Sequence, residues 1–119
     1  MIALSVDKIG DVAVVECAGT ITQNKTACQL RDVLASIETP VIVLDLSELT
    51  LIEGTGLSVF LLLQQWAHQH RVCLKLFNPR WWVQEKLERA SPIPAFEIVT
   101  LRELTMMLAN AEARFAVAA

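Results

Sequence analysis

No segment of this 119-residue chain is apolar for long enough to cross a bilayer. The longest such run, Leu57-Ser58-Val59-Phe60-Leu61-Leu62-Leu63, ends at Gln64 and Gln65 after seven residues, where a helical span requires about 20. The opening Met1-Ile2-Ala3-Leu4-Ser5-Val6-Asp7-Lys8 has neither the basic start nor the apolar stretch of a signal peptide. A cytoplasmic chain without membrane insertion is therefore expected. Basic clusters are missing too: 10 Lys and Arg stand against 13 Asp and Glu, for a formal charge of -3, which argues against binding to nucleic acid. Cysteine is scarce. Cys17, Cys28 and Cys73 are odd in number, show no C-x-x-C spacing and fall within apolar patterns, so all three are expected as small buried hydrophobes in a reducing compartment. His68 and His70 are two apart and have no Cys or carboxylate at ligand spacing, which makes them solvated residues at a helix end. Neither a metal nor a cofactor is expected. The chain also has no internal repeat, low-complexity tract or linker.

What is present is a large apolar fraction, 54% of residues with a mean hydropathy of +0.46, in a chain of single-domain length. One domain over 1–119 is expected, with residues 116–119 fraying. A chain of this size buries roughly two-thirds of its extended surface and needs no disulfide or metal to hold a core. Ile2, Leu4 and Val6 alternate up to Gly10, and Val12, Val14 and Val15 follow, which predicts an antiparallel hairpin. Ala27, Leu30, Leu34 and Ile37 recur at helical steps over 24–37, and Thr39-Pro40 stops the helix. Val41-Ile42-Val43-Leu44-Asp45-Leu46 is a continuous β-branched run, the mark of a central strand covered on both faces. A buried helix over 55–69 and a second buried strand over 72–77 come next. Beyond Asn78-Pro79, Val83, Leu87 and Ala90 mark a helix, residues 91–94 a loop and Phe96-Glu97-Ile98-Val99 a short strand. Thr100 and Glu103 have capping-box spacing, and Leu101, Leu104, Leu108, Ala111 and Phe115 give the stripe of a last helix. The order is β-β-α-β-α-β-α-β-α, an α/β class with right-handed parallel crossovers.

One loop raises a chemical question: Leu51-Ile52-Glu53-Gly54-Thr55-Gly56-Leu57 joins a strand region to the buried helix, and two glycines bracket its hydroxyl. On one account Gly54 lets the chain turn and Thr55 caps the helix it opens. On the other, a hydroxyl between residues without side chains, among the orphan N–H groups of a helix start, is a phosphoacceptor. A nucleotide cradle is poorly supported, because G-x-G-x-x-G, G-x-x-x-x-G-K and a nearby Lys are all missing. A Thr nucleophile would have only Glu53 as a base close in sequence, and no His.

At this loop the chain begins to resemble a known family. Val41 to Ser47, Leu51 to Val59, Ala18-Gly19-Thr20-Ile21 and Leu74 to Pro79 together resemble the anti-sigma-factor antagonists, whose STAS domain also forms the C-terminal regions of sulphate transporters. The likeness runs almost end to end. It implies a STAS-type fold, a mixed sheet of four to five strands with about four helices on one side. The family's loop reads Asp-Ser-Ser-Gly or Asp-Ser-Thr-Gly. Here Glu53 takes the acidic position, Gly54 the first Ser, Thr55 the phosphorylated hydroxyl and Gly56 the glycine. Two departures stand out: Glu53 lengthens the acidic arm, and Thr22 stands near where many relatives carry an Asp.

The resemblance implies a non-catalytic phospho-switch. The unphosphorylated domain binds an ATP-dependent anti-sigma-factor kinase, and phosphorylation of the loop Thr releases it. Docking would use Glu53, Gly54, Thr55 and Gly56 together with the face of the following helix, where Ser58, Leu62 and Gln65 share a side with Thr55. A second reading keeps the docking and changes the partner to the ATPase subunit of a lipid-exporting ABC transporter. A third is a binding module for a nucleotide or small ligand. Trp81 and Trp82 close the list of candidates. Trp82 borders the core stripe of its helix, whereas Trp81 points away from it and is expected to be exposed, as an anchor for partner binding or homodimer formation.

Overall fold

The alternating N-terminal residues form a long antiparallel hairpin of β1 (Ile2–Ile9) and β2 (Val12–Ile21), in register from Ile9 opposite Val12 to Ile2 opposite Gly19. The computed structural model describes residues 2–90 and 96–118, with side chains as far as residue 113. The loop expected at residues 91–94 falls outside them, as do the side chain of Phe115 and those of the end expected to fray. After the hairpin come α1 (Asn24–Ala35), β3 (Val41–Asp45), β4 (Leu49–Ile52), α2 (Gly54–Leu61), α3 (Leu63–Gln69), β5 (Cys73–Phe77), α4 (Trp81–Ala90), β6 (Glu97–Val99) and α5 (Leu101–Ala118). The sheet runs β1-β2-β3-β5-β6, every pair after the hairpin being parallel.

The sheet has six strands, one more than the upper expectation. The addition is β4. It follows β3 after a tight turn in which Asp45 Oδ1 accepts from the Ser47 N–H at 3.0 Å and its hydroxyl at 2.6 Å. It then pairs with the far end of β2 beyond an irregularity between Gly19 and Thr20, so β3 and β4 in turn line one edge of β2. The single helix expected over 55–69 begins at Gly54 and is broken at Leu62, whose N–H bonds the Val59 carbonyl at 3.0 Å. That three-residue bond tightens the chain by a 3₁₀ step.

Strand residues alternate between two apolar layers. Ala13, Val15, Ile42, Leu44, Leu74 and Leu76 face Leu30, Leu34, Phe60, Leu63, Val83 and Leu87 of the first four helices. Val12, Val43 and Val99 face Leu104 and Ala111 of α5. Helices thus cover both faces rather than one, because a strand as continuously apolar as β3 exposes hydrophobic surface on each side and α5 is the element left to cover the second. Gly10, at φ +59, marks the closest approach: a Cβ there would lie 2.6 Å from the Ala111 carbonyl oxygen. The Thr100–Glu103 capping box forms as expected, Thr100 Oγ1 accepting from the Glu103 N–H at 3.1 Å and Glu103 Oε1 from the Thr100 N–H at 3.2 Å. Leu101 departs from its stripe and is 67% exposed, since it opens the helix before the sheet can cover it. Cys17 is buried and Cys28 partly so, but Cys73, the first residue of β5, is exposed. His68 and His70 are exposed at the end of α3.

Candidate functional site

The loop of interest lies where β2 and β4 end side by side. Glu53, in extended conformation at φ -166, occupies the N-cap position of α2, and its N–H bonds the Ile21 carbonyl at 3.0 Å. Gly54 then takes φ +63, a left-handed conformation open to glycine and strained for other residues. Gly56 serves a different purpose. A Cβ on it would meet the Ile21 carbonyl and the Gln23 nitrogen at 2.9 Å, so its missing side chain lets the first turn of α2 lie against the β2–α1 connection. The Gly56 N–H, bonded to the Thr22 carbonyl at 3.3 Å, fixes that contact.

Thr55 is exposed at the second position of α2, and its hydroxyl oxygen accepts from the backbone N–H of Asn24 at 3.1 Å. Asn24 opens α1. The N-cap residue of α1, Gln23, makes no side-chain cap bond. Thr55 therefore caps a helix, but not the one it opens: Glu53 already occupies the N-cap position there, and the hydroxyl satisfies a donor of the neighbouring helix instead. The first turns of two helices meet at this one oxygen.

The other predicted residues are arranged around it. Ser58 is exposed, its hydroxyl turned back to the Gly54 carbonyl at 3.4 Å. Leu62 is 58% exposed, and Gln65 is exposed further along. Glu53 Oε2 meets Lys86 Nζ of α4 at 3.3 Å, with both side chains about half exposed. A pair so wetted contributes little to stability, although it fixes the direction of the acidic arm. Trp81 is 71% exposed and stacks edge-on against Trp82 at 5.7 Å. Trp82 in turn donates its indole N–H to the Thr50 carbonyl at 2.6 Å, while Arg80 donates to the Ser47 carbonyl at 3.0 Å with its guanidinium 5.4 Å from the Trp82 ring. Side chains from the start of α4 thereby satisfy carbonyls along β4 and its preceding turn. Glu53, Gly54, Thr55, Gly56 and Ser58 come together in space, with Leu62 two turns on, whereas Trp81 packs on Trp82, whose bond is to the Thr50 carbonyl of β4 and not to the loop. Sequence reasoning missed Asn24, Arg80 and Lys86, whose partners lie 31 to 33 positions away in the chain.

Among the described residues, no three His, Cys, Asp or Glu side chains converge as a metal site would need, and no helix is long and apolar enough to cross a membrane. The buried Cys17 thiol is pushed up to about 12, first by burial and then by the charge of Asp45.

No curated protein matches this sequence. Solved structures do. The anti-sigma factor antagonist SpoIIAA in its unphosphorylated form superimposes with a TM-score of 0.68 at 14% identity, over 91% of this chain and 97% of that one. An anti-sigma factor antagonist from Mycobacterium paratuberculosis gives 0.66 at 19%, over 92% and 95%. A sulfate transporter family protein from Wolinella succinogenes gives 0.68 at 22%, over 89% and 90%. Identities this low establish a shared fold. The family model of the STAS domain matches residues 3–111, nearly the whole chain, and the protein belongs to the STAS domain family.

Proposed function

We propose that this STAS domain is a non-catalytic anti-sigma-factor antagonist that works as a phospho-switch, with Thr55 as phosphoacceptor and an anti-sigma-factor kinase as partner. The observation that carries the reading is the exposed Thr55 hydroxyl at the joint first turns of α1 and α2, on a face that continues through Ser58 to the exposed Leu62. Phosphorylation there adds about -1.5 to -2 charges at pH 7. Two helix starts tolerate that charge in water, but an interface that must desolvate it beside Leu62 and Glu53 does not, so phosphate opposes docking. The chain supplies the switch and the partner supplies the chemistry. The resemblance to antagonists in fold and loop supports the same reading.

Docking on a transporter ATPase without phosphorylation is the second reading. It is favoured by Glu53 in place of the family's Asp and by Gly54 at the position of the family's first Ser, which leaves Thr55 as the loop's single hydroxyl. Capture of partners from a native lysate with the unphosphorylated chain and with Thr55→Asp, identified by mass spectrometry, separates the two. The switch requires an ATP-binding kinase that is retained by the first bait, lost with the second, and able to phosphorylate Thr55. A transporter ATPase held equally by both baits would refute it.

A further inference from the structure

The sheet ends in two strands of different kinds. β6 has three residues, and its Glu97 is paired with Lys75 at 3.0 Å, so this edge is short and charged, which discourages further pairing. β1, at the other end, has eight residues, an unbroken register against β2 and no proline. Among the described residues, no strand pairs with its outer side. The two-residue turn Gly10-Asp11 decides which of its backbone groups are left over. Ile9 and Val12 close that turn as a hydrogen-bonded pair, so Ala3, Ser5, Asp7 and Ile9 direct their N–H and C=O groups to β2, whereas Ile2, Leu4, Val6 and Lys8 direct theirs outward. Side chains follow the same alternation. Ile2 and Leu4 pack on the apolar layer that faces the first four helices, and Val6, on the same side, is 37% exposed although Val15 opposite it is buried. β1 thus offers a row of outward donors and acceptors beside an apolar side chain that its own domain leaves partly uncovered.

We infer that β1 pairs antiparallel with β1 of a second copy, joining two sheets into one. A row of alternating N–H and C=O groups is matched by another extended backbone. A two-fold axis perpendicular to the sheet keeps the faces of the two strands aligned, so the residues that oppose each other are both odd or both even in number. With Ser5 opposite its twin, Leu4 opposes Val6 and Ile2 opposes Lys8, and these four outward pairs exchange about eight hydrogen bonds. Leu4 and Val6 of the two copies then form one apolar patch that continues the helix-side layer and covers Val6. Charge selects this register. Asp7 falls opposite Ala3, about 14 Å along the strand from its twin, whereas centring the pair on Asp7 would oppose two carboxylates and centring it on Val6 would set them diagonally adjacent. Centring it on Leu4 would leave Asp7, Lys8 and Ile9 unpaired. Because β2 leads to the Thr55 loop from its Ile21 end, an antiparallel pair sets the two Thr55 loops at opposite ends of the joined sheet.

Sedimentation equilibrium of the full chain over a concentration series tests the pairing. A monomer–dimer equilibrium in the micromolar range is expected of so small an interface. Val6→Lys should raise the dissociation constant by about tenfold or more with little change in melting temperature, since an edge lysine opposes pairing. Val6→Pro should act in the same direction, because the N–H it removes points outward and not to β2. Trp81→Ala should leave the equilibrium unchanged. Crosslinking tests the register. In a chain carrying Cys28→Ser and Cys73→Ser, Ser5→Cys should give a disulfide-linked dimer under mild oxidation, because a non-hydrogen-bonded pair brings Cα atoms to about 4.5 Å, within disulfide range, and Asp7→Cys should not. A chain that stays monomeric into the millimolar range, a dimer indifferent to Val6→Lys or dissolved by Trp81→Ala, or crosslinking through Asp7→Cys in preference to Ser5→Cys overturns the inference.

Discussion

Replacing Thr55 by alanine tests the geometry at the centre of the site. The substitution deletes the acceptor of the Asn24 N–H at the start of α1, where Gln23 offers no side-chain substitute. Loss of such a cap costs about 1 kcal/mol, and the exposure of the site lets water take over part of the bond. Alanine also regains up to about 0.5 kcal/mol of helix propensity within α2, so the net loss should be about 0.5–1 kcal/mol. With an unfolding entropy of roughly 0.25 kcal/mol/K for a chain of this length, the melting temperature should fall by about 2–4 °C. So small a global change locates nothing. Amide hydrogen exchange does: the Asn24 N–H, and with it the first turn of α1, should exchange faster in Thr55→Ala, while the first turn of α2 stays protected. Thr55→Ser keeps the acceptor and should restore Asn24. Thr55→Asp keeps an acceptor and adds negative charge near two helix starts, so it should melt at or above the parent temperature while binding the partner less tightly. If Thr55→Ala loosens α2 and leaves Asn24 unchanged, the hydroxyl serves its own helix and the cross-helix cap is wrong.

Gly56→Ala should destabilise by about 2–3 kcal/mol, as urea unfolding will show, because its Cβ would meet backbone at 2.9 Å and cannot be accommodated by a side-chain rotation. Trp81→Ala should change stability by less than about 0.5 kcal/mol yet weaken partner binding or self-association by about 1–2 kcal/mol in calorimetry; a large fall in melting temperature would place Trp81 in the core. Stability should decline in alkali. The folded Cys17 thiol, near 12, keeps a proton that the unfolded chain gives up near 9.0, so its contribution is complete below pH 9 and is lost as pH rises towards 12. Lys75, held protonated by its hydrogen bond to Glu97, acts in the same direction, so Cys17→Ala should flatten the slope above pH 9 without abolishing it.

Features that depend on neighbours along the chain were legible. The hairpin around Gly10, the doubly covered β3 and the Thr100–Glu103 box each rest on patterns a few residues long, and each formed. The exposure of Trp81 followed from helical spacing. What escaped needed the third dimension. At four residues β4 is too short to announce itself by alternation, and it exists because the end of β2 offers an unpaired edge. Cys73 and Leu101 sit on apolar patterns, but each begins its element, where the covering layer has not yet closed. The run from Val41 to Leu44 calls for cover on both faces, but nothing in its own pattern tells which helix supplies the second layer; α5 does, through Leu104 and Ala111.

Thr55 shows most clearly where such reading stops. Composition and spacing identify a reachable hydroxyl between two glycines at a helix start, but they do not say which helix it serves. That is decided by Gly56, whose bare backbone lets α2 approach the Gln23 nitrogen closely enough for Thr55 to reach Asn24. The two accounts of the hydroxyl, as cap and as phosphoacceptor, therefore do not compete. A group that holds the first turn of one helix from the first turn of another already lies where partial positive charges converge, and a phosphate attached there keeps oxygen acceptors within reach of the same donors. Under the proposed switch, modification need not unfold or reshape the loop in order to be read. It adds negative charge to a surface whose backbone stays in place, which is why stability and partner affinity should move in opposite directions when charge is introduced at Thr55.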